Sequence, residues 1–187
     1  YLLEFQIRAE VYSQKKRHAT AGTADHRRLF PEAYHLKLVD MNVTPLKDSD
    51  IIWADAVFIS AMIVQQDSMM EVIRRCNLFG KTIAAGGAFP TSRHEDIPGV
   101  DHFLLGEVDK TLVDFLNNLE NGTAKPVYER PPHPDISRLP APRFDLLDLD
   151  AYGSMSIQYS RGCPFHCEFC DIWPVFGNKP RLKSADT

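Results

Sequence analysis

An open parallel α/β sheet is the fold this sequence predicts, and three observations predict it. Short apolar runs begin at residues 36, 56, 82 and 102. Each run ends in small or polar residues, and amphipathic helical stretches lie between and after them. Apolar runs without alternation suit strands covered on both faces, and strand–helix alternation at this spacing builds βαβ units.

The elements follow in order. Residues 1–30 form an uncertain N-terminal segment: Leu3, Phe5 and Ile7 alternate briefly, as in a short half-exposed strand, and Lys15, Lys16, Arg17, Arg27 and Arg28 follow without a clear period. Residues 31–125 carry the α/β unit. Its strands are expected at Leu36-Lys37-Leu38-Val39, Ala56-Val57-Phe58-Ile59, Thr82-Ile83-Ala84-Ala85 and His102-Phe103-Leu104-Leu105. Ser68 followed by Glu71 has capping-box spacing; Met69, Ile73 and Cys76 then share one helical face, and Gly80 stops that helix. Asp109 can cap a second helix with the stripe Leu112, Phe115, Leu116 and Leu119, ended by Gly122. Such a sheet is flavodoxin- or Rossmann-like, with ligands expected in the loops at the carboxyl ends of the strands. Those loops are Asp40-Met41-Asn42, Ser60 to Gln65, Gly86 to Thr91, and Gly106-Glu107.

Composition then shifts. Pro126, Pro131, Pro132, Pro134, Pro140 and Pro142 mark residues 126–150 as a linker, because proline removes donors and favours extended chain. Residues 151–187 open a second unit, with a strand expected at Ser156 to Ser160 leading into Arg161-Gly162-Cys163. Acidic residues number 25 against 21 basic ones, a net charge of −4, which argues against the basic face that nucleic acid requires. No apolar run is long enough for a membrane span, and no secretory signal core opens the chain. Three of the four cysteines crowd together, so a disulfide framework is a poor reading and a reducing cytoplasm is expected.

The chemistry concentrates in Cys163-Pro164-Phe165-His166-Cys167-Glu168-Phe169-Cys170. Three soft thiolates at C-x3-C-x2-C select an iron–sulfur cluster, zinc or copper(I). A 4Fe–4S cluster normally takes four cysteines, so three local ones leave an iron open for a substrate or cofactor. Structural zinc needs a fourth ligand. His166 is poorly placed for that inside the loop, and Cys76 on its apolar helical face reads as a core residue. Zinc in a corrinoid-binding module and an electron-transfer Fe–S protein remain the alternative readings. His18, His26, His35, His94 and His133 read as surface residues, and Lys179, Arg181 and Lys183 as solvated charges.

The cysteine loop, with Phe169 immediately before the last cysteine and a strand ahead of Cys163, resembles the radical S-adenosylmethionine (SAM) signature. Ser60-x-Met62-x-x-Gln65, Gly86-Gly87-x-x-Pro90-Thr91 and Gly106-Glu107, in that order, resemble the cobalamin-binding domain found ahead of many radical SAM cores. Pro142-Arg143-Phe144-Asp145-Leu146-Leu147 is similar to the linker between the two, and the subgroup resembled includes hopanoid methylases. The resemblance implies a 4Fe–4S cluster on Cys163, Cys167 and Cys170, with Phe169 in the SAM and cluster loop. It implies cobalamin held among Asp40, Asn42, Ser60, Met62, Gln65, Gly86, Gly87, Pro90, Thr91, Gly106 and Glu107. No other catalytic residue is assigned. The implied activity is reductive cleavage of SAM to a 5′-deoxyadenosyl radical, with methyl transfer to an unactivated carbon of a small-molecule or lipid substrate. A flavodoxin- or ferredoxin-type protein would donate the electron. The Asp-x-His-x-x-Gly motif of base-off, His-on cobalamin proteins is absent, since Asp101-His102-Phe103-Leu104-Leu105-Gly106 has the wrong spacing. No histidine lower ligand is therefore expected. Residues 1–28 offer only the short alternation at Leu3 to Ile7, so either the first strand of the sheet is expected before Tyr1 or this N-terminus is not authentic to the fold. Only residues 171–187 follow Cys170, and a (β/α) barrel needs about 200 or more. The chain therefore reads as the front of a longer enzyme, inactive by itself.

Overall fold

The structure, a computed structural model, describes residues 7–11, 18–20, 30, 34–108, 111–129, 133–138, 148–152, 154–156, 158–170 and 172–183. In chain order the strands are β1 (Ile7–Val11), β2 (His18–Thr20), β3 (Leu38–Val39), β4 (Ala56–Ser60), β5 (Thr82–Gly86), β6 (His102–Leu104), β7 (Val127–Tyr128), β8 (Ser154–Ser156), β9 (Ser160–Arg161) and β10 (Arg181–Leu182). The helices are α1 (Asp48–Trp53), α2 (Gln66–Leu78), α3 (Ala88–Arg93), α4 (Thr111–Glu120) and α5 (Ile172–Phe176).

Among the described residues, one six-stranded sheet has the order β3-β1-β4-β5-β6-β7, with every pairing parallel. This is the flavodoxin-like order with one strand added, and its switch point falls between β1 and β4. Alternate residues of each central strand serve opposite faces. Val57, Ile59, Ile83, Ala85 and Phe103 pack with Met69, Val72, Ile73 and Cys76 of α2. Ala84 and Leu104, with Phe58, pack with Leu112, Phe115 and Leu116 of α4. Phe115 meets the rings of Phe58 and Tyr128 edge-on at 5.7 and 5.3 Å. Both stripes expected from the sequence are thus core, and Cys76 is fully buried among them.

Both helix stops are Schellman turns. Gly80 takes φ +61, with Lys81 N–H donating to Cys76 O and Gly80 N–H to Asn77 O. Gly122 takes φ +66, and the amides of Thr123 and Gly122 close the same pattern on Asn118 and Leu119. The N-termini depart from expectation. Ser68 is not a cap: α2 begins at Gln66, directly after a 3-10 turn over Ile63–Gln65, so Ser68 lies inside the first helical turn. Asp109 lies outside the described residues, as does the segment from Pro142 to Leu147.

Three further differences concern where the chain enters the fold. The first strand is neither missing nor outside the sheet. Ile7–Val11 runs between β3 and β4, with Ala9 opposite Leu38 and Ile7 opposite Ala56. Its polar Arg8 and Glu10 interrupt the apolar run that an interior strand normally shows, so its signal in the sequence is weak. The sheet also continues past residue 125 into β7. Finally, the strand expected from Ser156 to Ser160 is two short strands: β8 pairs in parallel with β2, and β9 pairs antiparallel with β10.

Candidate functional site

Because every pairing in the sheet is parallel, the loops that follow β3, β4, β5 and β6 gather on one edge. The residues expected to face a ligand lie in these loops, at the strand ends that lead into them (Ser60, Gly86) or in α3 (Pro90, Thr91), but they differ in what occupies them.

The glycines answer to the protein. A Cβ on Gly86 would lie 3.0 Å from the Leu104 carbonyl oxygen. Gly87 takes φ +89, and a Cβ there would lie 2.5 Å from Ser60 Oγ and 3.3 Å from the backbone of Ala61. Pro90 is buried, and Thr91 Oγ1 accepts the Gly106 N–H at 2.9 Å, which joins α3 to the loop after β6. Asp40 is buried and occupied. It accepts the Asn42 N–H at 3.0 Å, the Asn42 side-chain amide, and the Tyr152 hydroxyl at 2.7 Å. Burial, together with donation to the Asp40 carboxylate, pushes the Tyr152 phenol above its ordinary range.

The loop after β4 is different. Met62, Ile63 and Val64 are exposed, while Gln65 is 1% exposed. Gln65 Oε1 accepts the Met62 N–H at 2.8 Å, but Gln65 Nε2 has no hydrogen-bond partner among the described residues. An unmatched buried donor costs on the order of 1–3 kcal/mol. Next to an exposed apolar loop at the switch point, this donor suits a bound ligand that bears an acceptor.

Glu107 has protein partners that the sequence did not announce. Its side chain is 2% exposed and is engaged by two arginines and a histidine. Oε1 accepts Arg161 Nη1 at 2.9 Å and Arg181 Nη1 at 3.2 Å. Oε2 accepts Arg181 Nη2 at 2.7 Å and sits 2.9 Å from His133 Nδ1. Burial alone would raise its pKa, but hydrogen bonds from Arg181, Arg161 and His133 outweigh this and hold the carboxyl below the ordinary glutamate range. Arg181 is therefore not a solvated charge, while His133 is the surface residue expected and also pairs with Glu107. Charge in a sequence reports solvation only on average; here one buried carboxylate reverses the expectation.

The cysteine loop grows from this cluster. Arg161 ends β9, and Gly162 and Cys163 follow directly. Gly162 takes φ +89, and a Cβ there would lie 2.4 Å from the Lys179 carbonyl oxygen. Cys163 N–H donates to Gly177 O at 3.1 Å, so the loop is closed at its base. Cys170 N–H donates to Cys167 O at 3.1 Å, which places these two thiols on one turn. Trp173 braces the loop from outside: its ring lies 4.7 Å from that of His166, and its Nε1 donates to Cys167 O at 3.4 Å. The helix carrying Trp173, α5, packs on α3. None of the four cysteines is in a disulfide. Among the described residues, no three His, Cys, Asp or Glu side chains converge on one metal position. The three thiols thus share a loop rather than a ready-made coordination sphere. As a donor set they fit a cluster that takes three cysteines, with Cys167 exposed and Cys163 and Cys170 partly so. Phe165 and Phe169 are 71% and 91% exposed, so the loop presents apolar rings beside its thiols.

The sequence reading missed Arg161, Arg181, His133 and Tyr152 as partners of the site. The one available signal was the position of Arg161 against the cysteine motif.

Fold and site define an open parallel α/β sheet with a three-thiol loop docked on its carboxyl edge. No protein-family model matches the chain. It is 45% identical over 157 residues to an uncharacterized methyltransferase of Synechocystis, a match covering 83% of this chain and 29% of that protein. It is 32% identical over 160 residues to the hopanoid C-2 methylase of Rhodopseudomonas palustris, covering 83% of this chain and 30% of that protein. It is 26% identical over 159 residues to the bacteriochlorophyllide d C-8(2)-methyltransferase of Chlorobaculum tepidum, covering 81% of this chain and 35% of that protein. The chain is thus related to proteins named as methyl-transferring enzymes, and spans well under two thirds of their length. Among the described residues, no helix is long and apolar enough to cross a membrane.

Proposed function

We propose that this chain is the cofactor-binding front of a cobalamin-dependent radical SAM enzyme, a methyltransferase acting on an unactivated carbon. The observation that carries the reading is the C-x3-C-x2-C loop of cysteines outside any disulfide, rooted by Cys163 and Gly177 and seated on the carboxyl edge of a flavodoxin-like sheet. The names of the relatives support methyl transfer as the outcome.

In this reading Cys163, Cys167 and Cys170 hold a 4Fe–4S cluster with one iron left for SAM, and Phe169 borders it. Bound there, the cluster supplies the electron that cleaves SAM to a 5′-deoxyadenosyl radical, and cobalamin supplies the methyl group. The chain's own residues bind and exclude. Ser60, Met62 and Gln65, with the orphaned Gln65 Nε2, meet the corrin or its nucleotide tail. Exposed Met62, Ile63 and Val64 cover its apolar rim. Asp40, Asn42, Gly86, Gly87, Pro90, Thr91 and Gly106 shape the loops that hold these residues in place. The barrel that completes the SAM and substrate pockets belongs to further chain. The enzyme works in the cytoplasm with a flavodoxin- or ferredoxin-type donor, on a small-molecule or lipid substrate.

The test is anaerobic reconstitution of the full-length protein with iron and sulfide, with absorbance and electron paramagnetic resonance recorded before and after SAM. The expected result is a cluster whose spectrum SAM perturbs, in a protein that retains cobalamin. Stoichiometric zinc with no Fe–S centre, or a cluster indifferent to SAM, overturns the reading.

A further inference from the structure

Arg161 and Arg181 are direct partners in the antiparallel β9–β10 pair that forms the stem of the cysteine loop. Like charges placed directly opposite each other destabilise such a pair. Here the pair is too short to bear that cost from its own hydrogen bonds, since each strand has two residues. Both guanidiniums turn instead onto Glu107, which belongs to the loop after β6 of the sheet. The Arg161 side chain is 4% exposed, and its buried charge is held by the protein: Nη1 donates to Glu107 Oε1 at 2.9 Å and Nε to Gln158 Oε1 at 2.6 Å. The linker joins the same point: His133 Nδ1 lies 2.9 Å from Glu107 Oε2, and a Cβ on Gly177 would lie 2.5 Å from His133 Nε2. The Pro134 carbonyl takes Arg181 Nη1 at 2.8 Å. Sheet, linker and both strands of the stem therefore close on one carboxylate.

We propose that Glu107 is a positioning residue that makes the stem of the cysteine loop dependent on the sheet. By neutralising the opposed Arg161 and Arg181, it holds the loop's base at the edge where the ligand loops gather. The inference rests on the proposed function only for what the loop holds; the coupling itself concerns the protein alone. It gives Glu107 a role different from the ligand contact expected of the Gly106-Glu107 loop. A carboxylate already accepting from two arginines and paired with a histidine has no lone-pair direction left for a ligand.

Hydrogen exchange in the full-length, metal-free protein tests it. The reporters are the amides of Cys163 and Lys183, held by the Gly177 and Tyr159 carbonyls at 3.1 and 2.9 Å. In Glu107→Gln their exchange rises by at least about a hundredfold, while amides of β4 and β5 keep their protection. Adding Arg161→Gln removes one of the two directly opposed charges and restores most of the protection at Lys183, a rescue that a space-filling role for Glu107 would not produce. Should Glu107→Gln not fold, Glu107→Asp keeps the charge but shortens the reach, and its exchange at both amides is faster than wild type. Wild-type exchange at these amides in either Glu107 variant, or a double variant no slower than the single, overturns the proposal. Because no metal, SAM or cobalamin enters the measurement, a protein that forms no Fe–S centre sinks the proposed function and leaves this result standing. Normal exchange in Glu107→Gln beside a SAM-responsive cluster does the reverse.

Discussion

Replacing Gly162 with alanine perturbs the loop stem at one atom, and the consequence can be worked through. Gly162 sits at φ +89, where an L side chain costs about 1–2 kcal/mol. The added Cβ would lie 2.4 Å from the Lys179 carbonyl oxygen, whereas ordinary contact begins at 3.4 Å. The obstacle is backbone, which cannot rotate aside as a side-chain tip can. Opening the stem by about an ångström breaks the Cys163 N–H to Gly177 O bond, now 3.1 Å, at a net cost of roughly 1 kcal/mol. The sum is about 2–3 kcal/mol, or roughly 30- to 160-fold at 1.36 kcal/mol per decade. It falls on the stem alone, because Gly162 belongs to neither core cluster. Hydrogen exchange read on the peptide carrying Cys163 should accelerate by that factor, while the thermal midpoint of the sheet moves little. Iron retention after reconstitution should fall in parallel. Wild-type protection at Cys163 in Gly162→Ala would refute the reasoning, since no tight approach of Lys179 could then exist.

Other expectations follow from the same contacts. Phe115→Ala removes a fully buried ring packed edge-on against Phe58 and Tyr128, and should lower stability by about 3–5 kcal/mol in denaturant titration. Cys76→Ala should leave iron stoichiometry unchanged, because Cys76 lies in the core under α2, whereas Cys163→Ala should abolish it; equal iron loss in both would return Cys76 to the ligand set. Glu107 has a depressed pKa, so its contribution to stability is fully present above the unfolded-state value of about 4.3 and is lost as pH falls through the lower folded value. Exchange at Cys163 should therefore keep its protection from neutral pH down to about 4.3 and lose it progressively as pH falls on through the lower folded value, after correction for intrinsic rates. The same profile in Glu107→Gln would show that another group is responsible.

The sequence by itself determined the parts that depend on local pattern. Apolar runs at 56 and 82 became β4 and β5, because a strand covered on both faces must be apolar throughout. The stripes around Met69 and Phe115 became core, and Gly80 and Gly122 closed their helices, since both signals act within a turn or two of chain. The three clustered thiols were legible for the same reason. Only the tertiary structure decided what depends on distant partners. Ile7–Val11 is interior because β3 and β4 flank it, although its own residues read as half-exposed. Asp40 is tied to Tyr152 across 112 residues, and Glu107 to Arg161 and Arg181 across 54 and 74. A carboxylate that meets solvent, a ligand or two arginines is the same letter in the sequence. Which of these it meets is set by what the fold brings within 3 Å of it, and for Glu107 that was the base of the cysteine loop.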